Sequence, residues 1–152
     1  MSEMDIKVTL MEPKTWVTVG SVIIMLILGL GPLMTGLEGG TDHADSEHPE
    51  LMESLSGEDK EAFVDVVNQE LFVFGLWNFT ICLMFLAMVN LTDGETQAKL
   101  AMVAAGSLLF VSGLGGYTVN GDAYFTEWVS LCAILAAPML ITGYMKLNAD
   151  EE

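Results

Sequence analysis

The sequence predicts an all-α protein: a four-helix transmembrane bundle with an acidic extracytoplasmic loop and a short amphipathic lead-in helix after the first span. Three observations predict it. The 152 residues are 52% hydrophobic yet carry a formal net charge of −16 at pH 7. The charges are segregated, because no Asp, Glu, Lys or Arg occurs in Thr15–Leu37, Leu71–Thr92, Leu100–Gly121 or Trp128–Tyr144. Eleven of the 21 acidic residues instead crowd between Glu38 and Glu70. The length suits one domain. An apolar run of about 20 residues matches the hydrocarbon thickness of a bilayer at about 1.5 Å per residue. Core helices of water-soluble proteins are shorter and keep one polar face. Lipid also demands that each backbone N–H and C=O be satisfied within its own segment or in a closed barrel. Barrel strands would alternate polar and apolar residues, and these runs do not.

Taken in order, residues 1–14 read as a cytoplasmic N-terminus and 15–37 as the first span. Two lysines precede that span, but so do Glu3, Asp5 and Glu12, and no A-x-A site follows. It therefore reads as a span and not as a signal peptide. Pro32 predicts a kink. Residues 38–70 form the acidic outer segment. Its first half, GGTDHADSEHPE, is rich in turn formers and predicts an irregular loop. In its second half Ser56 is a candidate N-cap, with Asp59 three residues on. Ala62, Phe63, Val66 and Val67 give the following helix an apolar face; it runs into the second span or breaks near Asn68–Glu70. The second span is 71–92, a cytoplasmic loop 93–99, the third span 100–118, an outer loop 119–127, the fourth span 128–147 and a cytoplasmic tail 148–152. Pro138 predicts a kink in the fourth span, and Lys146 can snorkel at its end.

Orientation follows from the lysines, since the chain has no arginine. Lys7, Lys14, Lys99 and Lys146 share one side of a four-span arrangement, and only Lys60 falls on the other. Positive charge near helix ends stays in the cytoplasm, which gives N-in and C-in across what reads as the plasma membrane. Trp16 and Tyr144 at the inner ends, with Tyr117, Tyr124 and Trp128 at the outer ends, suit interfacial anchoring.

No charged residue lies inside a span, whereas proton relays and ion pathways generally need one. Asn78, about 12 Å into the second span from Glu70, is the strongest buried polar group. An amide in lipid seeks an interhelical hydrogen bond. Its alternative role is contact with a ligand or quinone headgroup, together with Trp77 and Glu70. Small residues mark packing faces: Gly20, Gly29, Gly31 and Gly36; Gly106, Ser112, Gly113 and Gly116; Ala133, Ala136, Ala137 and Gly143. Met84 and Met88 share a face and read as core filling, not a Cu(I) site. Cys82 and Cys132 differ in depth by roughly 9 Å, which argues against a disulfide. In the outer segment, Asp42, His43, Asp45, Glu47 and His48 could hold a divalent cation, although their spacing reproduces neither a closed zinc signature nor an EF-hand. A solvated acidic loop is the simpler reading. No nucleophile–base pair, phosphate-binding glycine loop or basic nucleic-acid surface is visible, so the sequence points away from catalysis and names no cofactor.

The stretch Glu70-Leu71-Phe72-Val73-Phe74-Gly75-Leu76-Trp77-Asn78, the stretch Phe110-Val111-Ser112-Gly113-Leu114-Gly115-Gly116, and Gly121 and Glu127 resemble the DoxX-like group of small four-helix membrane proteins. The Phe-Gly-Leu-Trp segment is also similar to the four-helix scaffold protein of ergosterol biosynthesis. Both resemblances imply an accessory or scaffolding role. The sequence thus supports a non-catalytic subunit embedded in the lipid bilayer that docks to other membrane-protein helices or to copies of itself. The alternatives are a quinone or lipophilic small-molecule binder in an oxidoreductase complex, and a cation-binding or transport protein using the acidic segment.

Overall fold

A computed structural model describes the backbone of residues 3–119 and 121–149, and the side chains of residues 6, 8–110 and 129–149. Among these residues every regular element is helical: α1 Glu3–Leu10, α2 Pro13–Ile24, a π-helical turn Met25–Leu30, α3 Gly31–Glu38, α4 Asp42–Glu47, α5 Pro49–Ser54, α6 Glu58–Leu91, α7 Gly94–Val119 and α8 Gly121–Ala149. Three described helical stretches are long and apolar enough to cross a membrane: Pro13–Glu38, Glu58–Leu91 and Val129–Ala149. Their apolar windows are poorly covered by the chain itself, with only 17% buried in Glu58–Leu91. Water would penalise so large an apolar surface, whereas lipid does not. The third sequence-predicted span lies in α7, and the side chains of 111–128, including Ser112, Gly113, Gly116, Tyr117, Tyr124 and Trp128, are outside the described residues.

The chain divides into two compact units. The first comprises residues 1–21 and 84–152. Its core is Val17, Val89, Ala101, Ala104, Ala105, Ala136 and Met139, flanked by Trp16, Phe85, Leu100, Leu108 and Leu140. Residues from α2, α6, α7 and α8 thus meet in one cluster, and its alanines let the helices approach closely. A Cβ on Gly143 would sit 2.8 Å from the Ala98 carbonyl oxygen, and one on Gly20 would strike the Met139 methyl. Gly106 meets nothing and is no packing contact, and Ala137 is exposed. Between α6 and α7 the side chain of Gln97, only 6% exposed, donates to the carbonyls of Val89 (3.1 Å) and Thr92 (2.9 Å). It thereby satisfies carbonyls that the end of α6 leaves without helical partners. With that cap, α7 begins at Gly94, so most of the predicted loop 93–99 is helix.

Residues 1–14 are also more structured than predicted. The Trp16 indole N–H donates to the Leu10 carbonyl at 2.8 Å, and the Thr15 hydroxyl to the Thr9 carbonyl at 2.7 Å. Together they pin α1 to the start of α2. The backbone of α8 is helical from Gly121, which removes most of the predicted outer loop 119–127. Pro138 lies inside α8, and the Thr142 hydroxyl donates to its carbonyl at 2.7 Å.

The second unit is residues 22–83. Pro32 has no N–H, and its ring crowds the carbonyl four residues back. The chain answers with the π-helical turn, in which the Gly31 N–H reaches the Leu26 carbonyl, five residues back. From Gly29 onward, the backbone lies directly on α6. A Cβ on Gly29 would come within 3.1 Å of the Phe79 backbone, and one on Gly36 within 2.6 Å of the Asn68 carbonyl oxygen. Gly75 on α6 faces the Gly29 carbonyl oxygen and the Leu33 backbone. Gly36 and Gly75 thus each turn toward a carbonyl oxygen, the arrangement of weak Cα–H···O bonds at helix interfaces.

Three expectations for residues 38–70 are decided by the structure. The first half is not an irregular loop but contains α4 and α5. Asp42 and Asp45 in the first turn of α4 complement its dipole, and Pro49 starts α5 with φ preset. Both short helices are held by burial of Ala44 and Met52 against Val67, Phe63 and Val64. Secondly, of the two courses expected for the following helix it takes the first and runs into the second span: α6 is unbroken from Glu58 to Leu91. Within it Asn68, 8% exposed, donates its side-chain amide to the Gly40 carbonyl at 3.2 Å. Thirdly, Gly57, and not Ser56, closes the start of α6: its φ is 57° and its carbonyl accepts from the Glu61 N–H at 3.2 Å. A side chain rarely adopts that φ, which is why glycine stands there.

Candidate functional site

The residues singled out by sequence for ligand contact lie together on α6. Glu70 and Trp77 are seven positions apart, roughly 20° around the helix, and both are exposed. Trp77 is 65% exposed and stands among Val73, Phe74 and Ile81, which are exposed as well. Gly75, buried, lies on the opposite face against the π-helical turn and α3. One helix therefore presents a glycine face inward and an aromatic and aliphatic face outward.

Asn78 is half-buried, and its amide donates to the carbonyl of Phe74, one turn back on its own helix, at 2.9 Å. The predicted interhelical hydrogen bond is not made by this donor. Asparagine can reach its own i−4 carbonyl without any second helix, which satisfies the donor locally. Thr80 does the same with the Leu76 carbonyl at 2.8 Å. Met84 and Met88 are corrected too: they are 56% and 37% exposed, outward-facing and not core filling. An outward thioether is ordinary on a helix whose surroundings are apolar. No disulfide joins Cys82 and Cys132.

Asp42, His43, Asp45 and Glu47 lie on α4, and His48 follows directly. Among the described residues no three His, Cys, Asp or Glu side chains come together as a metal site. A six-residue helix spreads these side chains around its axis, and the His48 ring is engaged edge-on with Phe63, centroids 5.6 Å apart. A shallow depression is lined by Glu47, His48, Glu50, Leu51 and Ser54, and a second lies between α1 and α2, beside Val8, Lys14 and Val19. Neither is lined by Glu70, Trp77 or Asn78.

The structure adds polar features that the sequence did not announce. Lys146 near the end of α8 donates to Glu12, just before α2, at 2.7 Å, with side chains 27% and 46% exposed. Lys99 pairs with Glu95 one turn away on α7. The Gln97 cap was also missed; its only sequence signal is a glutamine shortly after Thr-Asp-Gly.

No protein-family model, curated protein or solved structure matches the chain. Its chemistry must be read from its own residues. Among the described residues these form outward apolar faces, close glycine contacts and surface ion pairs.

Proposed function

We propose that the chain is a multi-pass protein of the plasma membrane, a four-span bundle with both termini in the cytoplasm. In this reading it serves as a non-catalytic accessory or scaffold subunit that docks to other membrane-protein helices. One observation carries the docking role: the outward face of α6 formed by Val73, Phe74, Trp77 and Ile81, set opposite the backbone-tight Gly75 face. A rigidly seated helix with a large outward aromatic is what a partner helix can pack against, and tryptophan is enriched where interfaces concentrate their energy. The topology is supported by the Glu12–Lys146 pair, because residues before the first span and at the end of the last lie side by side only after an even number of crossings. It is supported also by the common cluster of Val17, Val89, Ala101 and Met139, one contribution from each predicted span.

The test is photo-crosslinking in native membranes with a benzophenone amino acid at position 77. The reading expects one or two discrete adducts of fixed mass, identified as membrane proteins or as a second copy of the chain. A chain that stays monomeric and yields no discrete adduct overturns the docking role.

A further inference from the structure

We propose that the groove between α1 and the first turns of α2 holds one anionic phospholipid of the inner leaflet, its phosphate against Lys14. The inference rests on the membrane-spanning reading above. Val8 and Val19, both exposed, form the apolar walls, and Lys14, Thr15 and Thr18 form the polar rim. Glu12 also borders the groove, but its carboxylate is neutralised by Lys146 at 2.7 Å. Lys99 is likewise engaged with Glu95. Lys14 is exposed and has no ion-pair partner among the described residues. Among the described residues that line it, the groove thus carries one uncompensated positive charge, in a chain of net charge −16.

The hydroxyls divide the work. Thr15 donates to the Thr9 carbonyl and holds α1 in place, whereas the Thr18 hydroxyl makes no hydrogen bond among the described residues and is left to donate outward. Trp16, in the same turn, marks the depth at which aromatic side chains meet headgroups. A free anion would gain nothing from the valine walls, and an apolar peptide nothing from an unpaired ammonium. A phospholipid uses both: phosphate on Lys14 and Thr18, acyl chain along Val8 and Val19.

The experiment uses the full-length chain in mild detergent, with native mass spectrometry after adding equal amounts of phosphatidylglycerol and phosphatidylcholine. One phosphatidylglycerol is expected to be retained with a preference of about fivefold, the effect of one lysine close to an anionic headgroup. The preference should shrink as salt is raised, since the site is open to solvent. Lys14→Gln abolishes it, Lys14→Arg keeps it, and Lys99→Gln leaves it unchanged. Equal retention of the two lipids, a preference that survives Lys14→Gln, or displacement by millimolar inorganic phosphate would each overturn the proposal. Alkaline carbonate extraction separates the two readings. A chain released from membranes by carbonate refutes the spanning reading, and an integral chain without lipid preference refutes only the lipid site.

Discussion

Lys146 and Glu12 are 134 positions apart and meet through a hydrogen-bonded ion pair of 2.7 Å. Both side chains keep contact with solvent, so screening limits the strength of the pair. Lys146→Ala is expected to lower unfolding free energy by no more than about 1 kcal/mol. Lys146→Glu should cost more, because two carboxylates then face each other, and the charge swap with Glu12→Lys should recover most of the loss. Circular dichroism during unfolding in mixed micelles measures all three variants. A swap no more stable than Lys146→Glu alone would show that the pair contributes nothing.

Glycines that look alike in sequence should respond in opposite directions. Gly75→Ala must push the Leu33 backbone and the Gly29 carbonyl aside, a clash that no flexible side chain relieves. A loss of about 1–3 kcal/mol is expected, as for other overpacked sites. Gly106→Ala has nothing within 4 Å to strike and removes a flexible residue from a helix. It should stabilise by about 0.5–1 kcal/mol. The same unfolding assay decides, and equal responses at the two positions would mean that the close helix contact is absent.

The topology is checked by single cysteines in a background with Cys82→Ala and Cys132→Ala. A membrane-impermeant maleimide should label Asp45→Cys on intact cells. It should reach Glu95→Cys only after the membrane is opened. Labelling of both from outside contradicts the proposed orientation.

Asn78 and Trp77 are neighbours with different expected weights. Asn78→Ala loses a hydrogen bond that the amide makes to its own helix, so stability should change by about 0.5 kcal/mol or less. Trp77→Ala should leave stability equally little changed but reduce co-purification of the partner at least about tenfold, as loss of an interface anchor does. If Asn78→Ala instead removed a thermal shift caused by added quinone, the small-molecule alternative would replace the scaffold reading.

Helix positions were legible because the charge-free runs are long and need no tertiary information. The apolar period says nothing about where a helix stops once it leaves the apolar run, and so α6, α7 and α8 each extend past the predicted span ends. The short helices α4 and α5 were hidden by their turn-forming composition. What orders them is burial of Ala44 and Met52 on a surface formed later in the chain, at Phe63, Val64 and Val67. Gly29, Gly36 and Gly143 were readable as packing residues because close approach of backbones leaves no other choice. The direction in which Trp77 and the methionines face was not readable, since a helix apolar all round carries no inside–outside signal. The Glu12–Lys146 pair depends on tertiary placement and has no local signature.

The unbroken course of α6 has a mechanical consequence. Its 34 residues make a rod of about 51 Å, while the hydrocarbon core takes about 30 Å. The part near Phe63 and Val67 that carries α4 and α5 belongs to the same hydrogen-bonded cylinder as Gly75 and Trp77. Force applied to α4 and α5, by another molecule or by electrostatic repulsion from a crowded anionic surface, is therefore delivered along the rod to the exposed face around Trp77, with no joint between them to absorb it.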